Sequence, residues 1–312
     1  MSKTIRVGAV QAEPAWLNLE EGVAKTIQII EQAAADVWTL SPLQQGGWVP
    51  EYVANSMSRD GPEMARIQAA AKKANMTVVL GYSEREGTSL YISQAIIGPS
   101  GEILLNRRKI KPTHIERTVW GDSQQDGLNI VVDTPLGRVG ALNCWEHLQP
   151  LMRYYEYTQN VQIHVASWPP VFEARNDGGP LYQLSRTPTY NVNQVMAMEG
   201  ALFVIAATQV LTEKSLEKCL LVGNNVTKTP SGGFSQIFGP DGRPLGEPID
   251  EGVEGIVKAD INLDDLTMAR MVIDVAGHYS RPDLLGLRVN PSGHSQVTVV
   301  TSPSVEAPNG RC

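Results

Sequence analysis

The sequence predicts an α/β protein with helices covering mixed sheets, and three observations predict it. Short apolar, β-rich runs alternate with stretches of helical period along most of the chain. Two neighbouring runs are joined by a tight hairpin turn, while others are separated by a helix, as a crossover requires. In order, Ile5 to Gln11 reads as a strand, Leu19 to Ala35 as an amphipathic helix, and Asp36 to Leu40 as a short strand. Asp60 is expected to cap a helix from Pro62 to Asn75, with Pro62 and Glu63 in its first turn. Thr77 to Tyr82, Leu90 to Ile97 and Ile103 to Lys109 follow as strands, the last two joined across Pro99-Ser100-Gly101-Glu102. Arg138 to Leu142 is a further buried strand, and helix is expected to return only after Cys144, over Leu148 to Thr158. Val161 to Ala166, a helix near Asn191 to Glu199, Phe203 to Ala207, Gly233 to Phe238 and Gly255 to Ile261 then repeat the alternation. No Pro/Ser/Gly-rich linker divides residues 1–290, which predicts one domain. Beyond Asn290 the chain turns to Ser, Pro, Gly and Val without helical period, so 291–312 is expected to be a mobile tail.

Two places carry candidate chemistry. In Leu142-Asn143-Cys144-Trp145-Glu146-His147-Leu148-Gln149 a thiol ends an apolar strand and meets polar residues at once. Strand ends that turn into helices are where α/β proteins expose catalytic side chains. The plain alternative is a buried cysteine acting as a small hydrophobe. Arg107-Arg108-Lys109-Ile110-Lys111-Pro112-Thr113-His114-Ile115-Glu116-Arg117 sets cations, a histidine and a carboxylate at another strand end. A charge run of this kind is usually a solvated loop. Yet Lys109 falls just before Pro112 halts regular pairing, where a fixed positive charge can enter a cleft, lower a thiol's pKa and stabilise an anionic intermediate.

These two segments together resemble the nitrilase branch of the carbon-nitrogen hydrolase superfamily, in particular the enzymes that cleave arylacetonitriles and the neighbouring cyanide hydratases. Val7-Gly8-Ala9-Val10-Gln11-Ala12, Gly87-Thr88-Ser89-Leu90-Tyr91, His164-Val165-Ala166-Ser167-Trp168-Pro169, Phe238-Gly239-Pro240-Asp241-Gly242 and Gly277-His278-Tyr279-Ser280-Arg281-Pro282-Asp283 extend the resemblance over Ile5 to Asn290. It implies a four-layer α-β-β-α sandwich with two mixed sheets. It also implies a Glu-Lys-Cys triad in which Cys144 matches the nucleophile and Lys109 the lysine, with Glu116 matching a further family glutamate. Trp145 and Trp168 are then candidate pocket walls, and His147 reads as a satisfied buried histidine.

The third triad member does not carry over. Relatives end the second strand in Phe-Pro-Glu, whereas this chain reads Val37-Trp38-Thr39-Leu40-Ser41-Pro42-Leu43, with Leu43 where the general base belongs. The pattern resumes at Tyr52. The resemblance implies that the stretch between is shorter than in relatives. Val49-Pro50-Glu51 echoes the lost motif, which makes Glu51 a substitute base to test. A misplaced splice or frameshift in the gene over Val37 to Glu51 accounts for the departure as well as a genuine replacement does.

The implied chemistry is hydrolysis of an aryl or arylalkyl nitrile. The Cys144 thiolate adds to the nitrile carbon to give a thioimidate, water displaces ammonia to leave a thioester, and a second water releases the acid. Lys109 would stabilise the charge that develops, a role usually worth about 2.7 to 4 kcal/mol of barrier. Both hydrations need a proton acceptor, worth roughly a hundred- to ten-thousand-fold. The alternatives are a cyanide hydratase releasing an amide, and an inactive homologue that only assembles. Relatives form dimers that grow into helical filaments, and Gly277 to Asp283 resembles their assembly segment.

Composition narrows the classes further. A net charge of -7 with acids and bases interspersed argues against nucleic acid as a partner and fits a small neutral substrate. Met1-Ser2-Lys3-Thr4-Ile5-Arg6 passes straight into a strand, and no apolar stretch approaches membrane-spanning length, so a cytoplasmic enzyme without export signal or anchor is expected. Cys144, Cys219 and Cys312 are an odd count, which suits a reducing compartment. The five histidines are scattered without metal-ligand spacing, and neither metal nor cofactor is expected.

Overall fold

The computed structural model describes residues 4–32, 49–123, 127–174, 180–213 and 231–290. Along them the order is β1 (Thr4–Ala12), α1 (Leu19–Gln32), α2 (Val49–Ala54), α3 (Pro62–Ala74), β2 (Val78–Glu86), β3 (Ser89–Ile97) and β4 (Ile103–Arg108). Then come β5 (Val131–Thr134), β6 (Gly137–Asn143), α4 (Pro150–Thr158), β7 (Ile163–Trp168), α5 (Arg186–Gly200) and β8 (Phe203–Gln209). β9 (Gln236–Phe238), β10 (Pro244–Leu245), β11 (Gly255–Asn262) and α6 (Asp265–Val272) follow.

The larger sheet runs β10-β9-β8-β7-β6-β5, with β1 parallel to β8 and antiparallel to β11. Its centre, β6-β7-β8, is parallel because α4 and α5 carry the chain back over one face between strands. The smaller sheet is the antiparallel meander β2-β3-β4.

Strand alternation assigns the faces. Val139 and Ala141 of β6 meet Val165, Ile205 and Ile96 in an apolar layer between the sheets, whereas Leu142 points the other way, into the layer with Met196 and Ala197 of α5. On the smaller sheet Leu80, Ala95 and Ile97 pack outward against Val23 and Ile30 of α1 and Met64 and Ile67 of α3. The result is helix, sheet, sheet, helix, the layering implied by the resemblance. β3 is buried on both faces from Leu90 to Ile97, as the middle strand of an inner layer must be.

Several expectations are corrected. The smaller sheet is antiparallel rather than mixed among the described residues, apart from one isolated parallel bridge between Met57 and Glu84. Gly61, not Asp60, is the N-cap of α3, and Asn75 ends that helix in the left-handed conformation with φ 49°. Helix returns before Cys144, as a 3-10 turn over His114–Thr118. The strand expected from Gly233 is confined to Gln236–Phe238, because Gly232 and Gly233 take φ of 82° and 94°. α2, β5 and α6 were not anticipated. α2 has no fully buried residue and so shows no apolar period, and Tyr52 anchors it between the rings of Trp16 and Trp120, each 5.7 Å away.

The expected strand Asp36 to Leu40, the base position Leu43, the end of the predicted first helix at 33–35, Cys219, Cys312 and the tail 291–312 lie outside the described residues. Among those described, no helix is long and apolar enough to cross a membrane.

Candidate active site

Two turns of the same construction meet where β4 and β6 end. After β4, Thr113 is the N-cap of a 3-10 turn, His114 takes φ 50°, and Glu116 reaches back to the Thr113 backbone N–H at 2.6 Å. After β6, Asn143 is the N-cap, Cys144 takes φ 49°, and Glu146 reaches back to the Asn143 backbone N–H at 2.8 Å. Each is a capping box that starts on a left-handed residue. Left-handed backbone at a residue other than glycine costs energy and is held by its surroundings, and such residues cluster at functional sites. Here the strained position is the cysteine itself.

A buried ion pair joins the turns. Arg107 Nη2 and Nη1 donate to the two Glu146 oxygens at 2.7 and 2.8 Å, the Ile110 N–H donates to Oε1 at 2.9 Å, and both side chains are buried. Burial pushes the Glu146 carboxyl up, but the Arg107 charge and the bonds from Arg107, Asn143 and Ile110 outweigh it and hold the group below its usual range. Gln94 on β3 accepts from Arg107 at 3.0 Å and donates to the Leu142 carbonyl and Ser167 Oγ, tying the two sheets together beneath the site. Glu146→Ala would leave the Arg107 charge buried and unanswered, and is expected to destabilise the fold by about 3–5 kcal/mol in urea denaturation. A loss under about 1 kcal/mol would show that the pair is dispensable.

Lys109 is enclosed. Only 1% of its surface is exposed, and its Nζ donates to Glu116 Oε2 at 2.6 Å and Thr113 Oγ1 at 3.1 Å. The solvated-loop reading therefore holds for Lys111, which pairs with Asp122 at the surface, and fails for Arg107, Arg108 and Lys109. Burial pushes the Cys144 thiol up to about 12; the Lys109 charge and the Trp145 backbone N–H oppose this, while Glu116 and Glu146 add to it. A raised thiol pKa makes thiolate scarce at neutral pH and increases it with every rise in pH below that value. Iodoacetamide labelling of Cys144, followed by peptide mapping, is thus expected to accelerate about tenfold per unit from pH 7 to 9. A plateau across that range would mean that the resting thiol is already ionised.

Residues 6–271 match the model of the carbon-nitrogen hydrolase family. The chain belongs to that family. A nitrilase of Talaromyces marneffei is 54% identical over 320 aligned positions covering 96% of this chain and 99% of its own. Those positions outnumber the 312 residues here, so the alignment opens gaps in this chain. An arylacetonitrilase of Aspergillus kawachii is 46% identical, covering 94% of each chain, and a cyanide hydratase of Armillaria gallica 42%, covering 91% of this chain and 84% of its own. A carbon-nitrogen hydrolase of Helicobacter pylori shares the fold, with TM-score 0.67 at 17% identity over 86% of this chain and 93% of that one.

Within this carbon-nitrogen hydrolase, Cys144, Lys109, Glu116 and Trp145 fall on the two joined turns. Trp145 is partly buried against the α5-side core. Trp168 is 4% exposed, stacks on the His147 ring at 4.9 Å and donates to Asn193 Oδ1 at 3.1 Å. His147 is fully buried with both ring nitrogens bonded, as expected. Glu51 is exposed on α2, and the carboxylate bonded to Lys109 belongs to Glu116. Sequence reading did not anticipate Arg107, Glu146, Gln94 or Thr113 as the frame of the site. The signal was present: Thr113-x-x-Glu116 and Asn143-x-x-Glu146 both have capping-box spacing.

Proposed function

We propose that this enzyme hydrolyses an aryl or arylalkyl nitrile to the carboxylic acid and ammonia through Cys144. The observation that carries the reading is the enclosed Lys109–Glu116 pair on a turn locked to the left-handed turn of Cys144. Sulfur bonds to the nitrile carbon and the thiol proton ends on nitrogen, giving a thioimidate. Water adds and ammonia leaves, giving a thioester; a second water releases the acid and restores the thiol. Lys109 stabilises the charge on nitrogen and then on oxygen. Glu116 Oε2 accepts from Lys109 and twice from Thr113, and Glu116 is proposed as the residue that positions Lys109. Trp145 and Trp168 are proposed as walls of the pocket, with Trp168 held by its stack on His147.

The test is incubation with an arylacetonitrile. One equivalent of ammonia per acid formed, with an acyl adduct on Cys144 by mass spectrometry, supports the reading; amide without ammonia selects hydration instead, the alternative favoured by the cyanide hydratase relative. Lys109→Ala is expected to lower turnover by about a hundred- to a thousand-fold, and Lys111→Ala to leave it near the parent. The reverse pattern would assign the role to Lys111.

Self-association and a cytoplasmic location belong to the same proposal. Tyr279, Leu284 and Leu285 are 61%, 68% and 82% exposed on and just past the Gly277 to Asp283 segment, which supports an assembly face there. Sedimentation of the full chain as a monomer at every concentration would remove that part.

A further inference from the structure

Behind Cys144 lie three fully buried titratable side chains that the reaction above does not use. His147 Nδ1 is 2.6 Å from the Cys144 carbonyl oxygen, His147 Nε2 is 2.9 Å from His164 Nε2, and His164 Nδ1 is 2.6 Å from Glu156 Oε1. The row is clamped from the side. Trp168 stacks on His147, Arg153 donates to the His147 carbonyl at 2.5 Å, and a Cβ added at Gly140 would collide with the Glu156 carboxyl.

The proton order along the row follows from its first member. A peptide carbonyl only accepts, so His147 Nδ1 carries the hydrogen, and the neutral ring presents Nε2 as an acceptor. His164 Nε2 must then donate, which leaves His164 Nδ1 as an acceptor if that ring is neutral as well. Only a protonated Glu156 can donate to it. Glu156 Oε2 is buried without a hydrogen-bond partner among the described residues, which a neutral acid tolerates and a carboxylate does not. The electrostatics agree. Burial drives Glu156 well above the usual carboxylate range, with Arg107 opposing and Glu146 adding, and burial followed by Arg107 takes His164 down to about 3 against Glu146. Of the charged groups that act on the row, Arg107 and Glu146 are paired with each other, and Arg153, which faces His147, is paired with Glu199.

We propose that Glu156, His164 and His147 form a proton-ordered strut, with Glu156 a neutral acid at its far end, that fixes the Cys144 carbonyl and so the left-handed turn presenting the thiol. All three are positioning residues, since they meet the main chain of Cys144 and not the reacting atoms. The proposal rests on Cys144 being the nucleophile, and its tests need no turnover of nitrile.

Nitrogen NMR of the histidine-labelled full chain at pH 7 should find His147 as the Nδ1–H tautomer and His164 as the neutral Nε2–H tautomer. An imidazolium at His164 would overturn the proposal. In the same chain Glu156→Gln keeps a donor toward His164 Nδ1, whereas Glu156→Leu removes it. Iodoacetamide labelling of Cys144 should stay within about twofold of the parent in the glutamine variant and fall at least about tenfold in the leucine variant. Glutamine as slow as leucine, or leucine as fast as the parent, overturns it too. If the leucine variant does not fold, the NMR result and the glutamine variant decide. A missing acyl adduct in the nitrile experiment would count against the reaction and leave these readouts untouched.

Discussion

Cys144→Ala is expected to lower nitrile hydrolysis at least about a thousand-fold while fold and assembly are unchanged. The side chain removed is small and its role is chemical. What holds the turn is the main chain: the Asn143 cap, Glu146 beneath it, and the Cys144 carbonyl against His147. Alanine retains all of these contacts and tolerates the same backbone angle about as well as cysteine. The thermal midpoint and sedimentation profile should therefore match the parent, and the acyl adduct should vanish with the ammonia. Activity above roughly a tenth of the parent would assign the attack to another group.

The main layers of the fold were legible because their signals are local. Short apolar runs marked β3 and β6, and Pro99 to Glu102 marked the hairpin between β3 and β4. α6 and α2 escaped because short helices with mostly exposed side chains leave no apolar stripe to read. At the site, the thiol and the lysine stood out by residue type and place. Arg107 did not, since in sequence it is one cation among several. Only pairing in the sheet sets Arg107 opposite Gln94 and lets it reach Glu146, 39 positions away. The Glu156–His164–His147 row was equally invisible, because α4, β7 and the Cys144 turn supply one member each.

The chain as written is expected to turn over nitriles at least about a hundred-fold more slowly than relatives that carry glutamate in place of Leu43. Leucine can neither take the thiol proton nor activate water, and the structure sharpens the need for a base. Burial pushes the Cys144 thiol up, and the Lys109 charge opposes this without cancelling it. Glu116 is the carboxylate at hand, but its Oε2 accepts from Lys109 and twice from Thr113, which suits a group that positions the lysine more than one that shuttles protons. Leu43→Glu should recover only part of the rate if, as the resemblance implies, the segment around it is also shorter than in relatives. Restoring the family-length segment should recover most of it. Sequencing the transcript across Val37 to Glu51 would show which version the organism makes. Steady ammonia release measures each variant, and brief exposure to nitrile followed by mass spectrometry separates slow acylation of Cys144 from slow release. Full activity from the unmodified chain would sink this expectation. Loss of that activity in Glu51→Gln would then identify Glu51, exposed on α2, as the substitute base.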